Sequence, residues 1–238
     1  MEHEHSIQAI QARLSEGTSH NYLRDFIYGG IDGTVTTFAI VAGVVGAQLS
    51  PSVVLILGIA NLIADGFSMA ASNYLGTKAE HDDRERIRAI EQRHIRLVPE
   101  GERAEVREIY REKGFSGEEL ERVVALITAD RKRWVETMLT EEYGLPKQSR
   151  SAWLAACSTF GAFLLCGSVP LMPFLFGTSN AFILATISTG IVFFLIGSLK
   201  SRWSTASWWS SGLATFAIGT CAALLAYLVG VLLKGIAT

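Results

Sequence analysis

Five stretches of this chain are apolar for long enough to cross a lipid bilayer, and charge is almost absent from all of them. A helix rises about 1.5 Å per residue, so about 20 apolar residues span the hydrocarbon. The stretches cover residues 27–47, 53–75, 153–174, 181–199 and 208–233. Short polar breaks separate neighbouring spans: Gln48-Leu49-Ser50-Pro51, Gly177-Thr178-Ser179-Asn180 and Lys200-Ser201-Arg202. Charge is gathered elsewhere. Residues 78–150 hold 16 of the 21 Lys/Arg and 17 of the 23 Asp/Glu, which makes them a separate, water-facing zone.

The chain therefore reads as an all-α integral membrane protein with five transmembrane helices and one charged helical insert. Residues 1–24 form an N-terminal segment, 25–77 the first two spans, 78–150 the insert, and 151–238 the last three spans. The net charge is −2 and the insert balances both signs. That excludes the basic footprint of a nucleic-acid binder and a polybasic lipid-binding tail.

Basic residues mark the cytosolic ends of spans. Arg13 and Arg24 precede the first span, the insert is rich in Lys/Arg, and Lys200 and Arg202 join the fourth span to the fifth. The other two connections carry no charge. The N-terminus, the insert and the Lys200 loop are thus expected in the cytosol and the C-terminus on the far side, with Lys234 as an exception. Residues 1–20 lack a basic stretch followed by an apolar one and are expected not to be a signal peptide. His3 and His5 read as solvated rather than as ligands. Cys157, Cys166 and Cys221 lie in apolar segments without a paired spacing and read as packing residues.

The second span has no stop signal. Its helical pattern continues to about Leu97, where Pro99 ends it and opens the next helix. That helix reaches Lys113 and stops at Gly114. Ser116 with Glu119 predicts a capping box for a third helix, from Gly117 to about Ala129. Asp130 is a cap for a fourth, running through Trp134 and Met138 to Tyr143. No internal repeat is visible, and five spans do not divide into two halves. The repeat logic of many transporters would then require a pair of chains.

A charge inside hydrocarbon costs several kcal/mol, on the order of 3 by insertion scales. Two aspartates carry that cost. Asp32 lies roughly 8 Å along the helix from the cytosolic end of the first span, and Asp65 near the middle of the second. Asn61, Asp65, Ser68, Met69, Ser72 and Asn73 follow at helical steps and share a face. Met69 falls at about the depth of Asp32. A carboxylate and a thioether at one depth suit a borderline-soft cation such as Fe²⁺ better than Mg²⁺ or Ca²⁺. Ser72 and the Gly29/Gly33 pair read as helix-packing residues. Burial favours a neutral aspartate and a bound cation a charged one, so metal entry would expel a proton.

In the insert, Glu91-x-x-His94 and Glu102-x-x-Glu105 each place two side chains on one helical face. Met138 and Glu142 add an i, i+4 pair. If the helices bring these faces together, they form a carboxylate-rich pocket with one imidazole and one thioether; otherwise they are ordinary solvated faces. Glu91-x-x-His94 is also half of a di-iron motif. No second copy follows, which weakens an oxidase reading.

These residues carry a resemblance. Arg24-Asp25-Phe26-Ile27-Tyr28-Gly29-Gly30-Ile31-Asp32-Gly33 resembles the first-helix signature of the vacuolar iron transporter family, and Ser68-Met69-Ala70-Ala71-Ser72-Asn73-Tyr74-Leu75 its second. Val98-Pro99-Glu100-Gly101-Glu102-Arg103-Ala104-Glu105-Val106 and Trp134-Val135-Glu136-Thr137-Met138 are similar to its cytosolic domain. Val169-Pro170-Leu171-Met172-Pro173 is similar to its third span. The resemblance implies a five-helix protomer acting as a homodimer, with proton-coupled export of Fe²⁺ from the cytosol. It implies Asp32 and Met69 as membrane ligands, and Glu91, Glu102, Glu105, Met138 and Glu142 as ligands of a cytosolic metal-gathering domain.

Three positions depart from the pattern. His94 stands where a carboxylate is expected, Leu139 where plant members have a second methionine, and Asn61 where they have a membrane glutamate. Either Asp65, one turn nearer the cytosol, takes over that glutamate's role in metal or proton passage, or the coupling differs; Asn61 and Asn73 are expected along the transport path. His94 would widen the cargo modestly toward Mn²⁺, Co²⁺ or Zn²⁺.

The expected function is a metal/proton antiporter in a lipid bilayer, with no catalytic or cofactor-binding residues assigned. The alternatives are a membrane-bound ferroxidase using Glu91, His94, Glu102 and Glu105, and a non-transporting metal sensor. The short N-terminal segment favours a bacterial plasma membrane over a vacuolar one.

Overall fold

The computed structural model describes residues 6–16, 22–147 and 150–237. His3 and His5 lie outside the described residues. The described chain is helical throughout, and five helical segments are long and apolar enough to cross a membrane: Leu23–Gly46, Pro51–Leu97, Ala152–Leu175, Ala181–Trp203 and Trp208–Gly235. It divides into two compact units. One comprises Gly76–Arg150 with the described part of Met1–Ser19, which holds α1 (Ile7–Glu16), and the other His20–Leu75 with Ser151–Thr238.

The apolar unit is built around α2 (Leu23–Gly46). Around it pack the first half of α3 (Pro51–Leu97), α7 (Ala152–Ser168), α9 (Ala181–Lys200) and α10 (Trp208–Ala237). With lipid outside, no hydrophobic force separates the helices from solvent, and close backbone approach has to hold them together. Glycine supplies it. A Cβ on Gly29 would stand 2.3 Å from the Thr159 carbonyl oxygen, and one on Gly33 2.6 Å from that of Phe163. The α2–α7 seam is therefore backbone against backbone. Gly230 plays the same part between α10 and α2, where a Cβ would meet the Gly43 oxygen at 2.1 Å.

The third span departs from a single expected helix. After α7, Val169–Leu171 tighten into a 3₁₀ turn before α8 (Met172–Leu175). Pro170 has no N–H to donate and its ring clashes with the preceding turn, so the helix breaks there.

The charged unit takes the second half of α3, α4 (Pro99–Glu112), α5 (Gly117–Thr128) and α6 (Arg131–Thr137). Its core gathers Ile87, Ile95, Val106, Leu120, Val124, Ile127, Trp134, Val135, Met138 and Leu139. The α4 stop matches its sequence signal. Gly114 takes φ +97, its N–H reaches the Arg111 oxygen, and the Phe115 N–H reaches that of Tyr110. The Tyr110 and Phe115 rings then pack at 5.8 Å, the apolar contact that accompanies such a cap. Asp130 caps α6 by accepting from the Arg133 N–H at 2.8 Å.

Two expectations fail locally. The Ser116 side chain makes no capping bond to α5. Gly117 enters that helix at φ +57, which takes the first turn out of the geometry a capping box needs. The fourth insert helix also does not run evenly to Tyr143. It widens into a π-helical turn over Met138–Glu142, closed by the Tyr143 N–H on the Met138 oxygen.

An ion-pair network ties the unit together. The nearly buried Arg84 donates to Glu136 at 2.8 Å and to the Pro146 carbonyl at 3.0 Å, and Arg88 takes the other Glu136 oxygen at 2.6 Å. Arg107 grips Glu121 with two bonds of 2.7 and 3.0 Å, joining α4 to α5.

Two predictions follow from these contacts. Gly29→Ala forces α2 and α7 apart and is expected to cost about 1–3 kcal/mol. Gly76→Ala, whose Cβ would meet nothing within 4 Å, is expected to be tolerated. Thermal melting in detergent reads both, and equal melting temperatures would show that the seam is soft. Glu136→Ala strands Arg84 in a nearly buried position and is expected to cost about 1–3 kcal/mol. Limited proteolysis of the charged unit is the readout, and unchanged protection would count against the network's role.

Candidate metal centre

In the charged unit, α3 and α4 bring two of the sequence-predicted pairs together. Glu91 on α3 is 1% exposed and Glu102 on α4 is 4% exposed. The His94 Nδ1 lies 3.4 Å from Glu102 Oε1 and 4.0 Å from Glu91 Oε1. Glu105 and Glu142 stand close enough for their charges to act on Glu102. Among the described residues, no Lys or Arg pairs with any of these four glutamates. One oxygen each of Glu91 and Glu102, Oε2, is buried without a hydrogen-bond partner. Buried carboxylate oxygens are normally satisfied, so these two have capacity left for a cation.

The electrostatics follow from that crowding. Burial first, then the charges of Glu91 and Glu105, push the Glu102 carboxyl up to about 8. Burial, then Glu91 and Glu105, also raise Glu142. Near neutral pH, Glu102 holds a proton that a solvated glutamate would have lost.

Not every expected ligand joins in this way. Met138 has no exposed surface and sits in the apolar core beside Leu139. Among the described residues, no three His, Cys, Asp or Glu side chains already converge as a finished metal cage. Four neighbouring acids repel one another, so closing them onto one point needs the charge of a cation.

Sequence reasoning missed Tyr143. Its hydroxyl donates to Glu91 Oε1 at 3.1 Å. Burial, then Glu91 and Glu142, push it up to about 12, so it remains a donor. Its position depends on the π-helical turn, which no sequence rule used here signals.

In the apolar unit, Asp32 is half-buried on α2 and Asp65 is exposed on α3. Asp65 is near enough for its charge to act on Asp32. Among the described residues, neither has a basic partner. Met69 is half-buried, while Ser68 and Ser72 are exposed. The Nδ2 of Asn61 is buried without a hydrogen-bond partner. Asn73 is engaged: its Nδ2 donates to Asp25 Oδ1 at 2.9 Å and to Thr159 Oγ1 at 2.8 Å, joining α3 to α2 and α7. Asp25, which the sequence motif contained without singling out, is thereby a buried acid held by an amide.

The fold and these acids define a class: a multi-pass helical membrane protein with two groups of carboxylates that, among the described residues, have no Lys or Arg partner. The comparisons name it. The model of the VIT family matches residues 23–231. The vacuolar iron transporter of Toxoplasma gondii is 35% identical over 229 residues, covering 91% of this chain and 76% of its own. Vacuolar iron transporter 1 of Arabidopsis thaliana is 33% identical, covering 88% and 85%. The vacuolar iron transporter of Plasmodium falciparum is 30% identical, covering 92% and 86%. The chain belongs to the VIT family, that of the vacuolar iron transporters.

The raised Glu102 carboxyl has a testable consequence for stability. Its folded value lies above the ordinary 4.5, so its contribution to stability is complete below pH 4.5. It is lost as pH rises through about 8. Glu102→Gln keeps the neutral form at every pH. Metal-free protein is expected to lose melting temperature between pH 6 and pH 9, and the variant to lose less. Parallel curves would show that Glu102 titrates normally.

Proposed function

We propose that this protein is a proton-coupled transporter that exports divalent metal, chiefly Fe²⁺ and with it Mn²⁺, from the cytosol. Co²⁺ and Zn²⁺ are further candidates. The observation that carries this is the pair of intramembrane aspartates on α2 and α3, which interact electrostatically and lack a basic partner among the described residues. Fixed neutralisation would silence them; a cation and protons taking turns would not. The names of the relatives support iron as the cargo.

Glu91, His94, Glu102, Glu105 and Glu142 form the cytosolic capture site in this reading, while Met138 stays in the apolar core beneath it. Glu102 gives up its proton as the cation arrives, because only the ionised carboxylate ligates. Asp32, Met69 and Asp65 are the membrane ligands, and Asn61 and Asn73 line the path. Asp65 takes the place of the glutamate absent at Asn61.

A homodimer completes the proposal. Asp65, Ser68 and Ser72 are exposed on a segment of membrane-spanning length. Polar groups facing lipid are costly, and an isologous pairing of two copies would shelter the same face on each. The proposed membrane is a bacterial plasma membrane.

The test is Fe²⁺ uptake into inside-out vesicles, driven by a pH gradient. The parent is expected to accumulate metal and alkalinise the lumen in step with it, since each cation enters in exchange for lumenal protons, while Asp32→Ala and Asp65→Asn lose at least about tenfold in rate, a barrier increase of roughly 1.4 kcal/mol. An Asp32→Ala variant as active as the parent would rule this pathway out.

A further inference from the structure

In the charged unit a tyrosine hydroxyl, neither an acid nor an imidazole, touches the carboxylate cluster. We propose that Tyr143 is a positioning residue of the cytosolic metal site, holding Glu91 so that its free oxygen faces the cation. The inference rests on the cluster being a metal site, as proposed above, and concerns a residue outside the expected ligand set.

The geometry begins with the backbone. Five residues of regular α-helix place two side chains about 140° apart, so Tyr143 would point well away from the face of Met138. The π-helical turn over Met138–Glu142 removes that offset. Its closing bond, from the Tyr143 N–H to the Met138 oxygen, stacks residue 143 over residue 138. Such turns are costly irregularities and are frequent at functional sites. The chain beyond is also fixed. Gly144 takes φ +65, the Leu145 N–H bonds the Leu139 oxygen at 2.9 Å, and Arg84 holds the Pro146 carbonyl.

The chemistry follows from what the hydroxyl reaches. It donates to Glu91 Oε1 at 3.1 Å. Glu91 is 1% exposed, so water does not compete for that oxygen. Its Oε2 accepts from no fixed donor, and the protonated Glu102 carboxyl that hydrogen-bonds Glu91 is the group a cation would displace there. One Glu91 oxygen is thus anchored while the other is left for a ligand. A carboxylate fixed by a neutral donor keeps its full negative charge and loses rotational freedom. Donors of this kind orient metal ligands, and removing one typically weakens binding by about 10–100-fold.

The test uses the full-length protein in detergent micelles with Co²⁺ as the probe, read by calorimetry and by the visible spectrum of the bound ion. Tyr143→Phe keeps the ring and removes only the donor. It is expected to weaken, by tenfold or more, the binding that Glu102→Gln abolishes, and to alter the Co²⁺ spectrum. Adding Tyr143→Phe to Glu91→Gln should weaken binding no further than Glu91→Gln alone, because Tyr143 acts through that carboxylate. Wild-type affinity and spectrum in Tyr143→Phe would overturn the positioning role while leaving the metal site standing. Additive losses in the double variant would overturn it too. Co²⁺ binding indifferent to Glu102→Gln would remove the metal site and this role together.

Discussion

Repulsion among neighbouring carboxylates, with Glu91 and Glu102 buried and Glu105 and Glu142 exposed, is the interaction on which the chemistry of the charged unit depends. At an effective dielectric near 20, two unit charges 4 Å apart interact by about 4 kcal/mol. The charges of Glu91, Glu105 and Glu142 all act on Glu102, weakened by solvent where the acids are exposed. The metal-free unit relieves them by leaving a proton on Glu102, by setting His94 against both buried acids, and by bonding Tyr143 to Glu91. Each of these is weaker than a cation of charge two at the centre. In the proposed reading, the cluster is tolerated without metal and would be stabilised by it.

That strain persists only because the surroundings do not yield. The apolar core of ten residues fixes the four helices, and the Arg84–Glu136–Arg88 network fixes α3 against α6. The contrast within this one unit is informative. Glu136 is neutralised by two arginines, which stay charged at any accessible pH. The cluster glutamates, in a segment holding sixteen Lys and Arg, have none among the described residues. A permanent partner makes a structural acid; its absence leaves the charge to be balanced by something able to leave.

Much of this was legible in the sequence because it follows from local rules. The five spans came from apolar length, the long α3 from the lack of a stop before Pro99, and the α4 terminus from Gly114. The pairing of Glu91/His94 with Glu102 was an open alternative, decided only by how α3 and α4 pack. Tyr143 and the missing Ser116 cap were illegible for a related reason. A π-helical turn and a left-handed Gly117 are set by tertiary packing, whereas the signals available count residues at ideal spacing. The break at Pro170 lay in plain view, and only the assumption of one uninterrupted apolar span concealed it.

The apolar unit applies the same principle with different means. Glycine contacts lock the α2 backbone to α7 and α10, so Asp32 is held on a rigid element. Rigid elements place a ligand more precisely than loops do. Asp65 is on α3, whose exposed Ser68 and Ser72 leave that face without a partner inside this chain. Asp25 shows what a settled acid looks like here: buried and bonded to an asparagine that also bonds Thr159. Asp32 and Asp65 have no such fixed pairing among the described residues, and the charge of Asp65 acts on Asp32. In the proposed pathway, a divalent cation between these two acids would be held by both and released when protons take its place. That reversibility, rather than affinity, is what separates a transport site from a storage site, and it requires that no arginine or lysine ever settle between them.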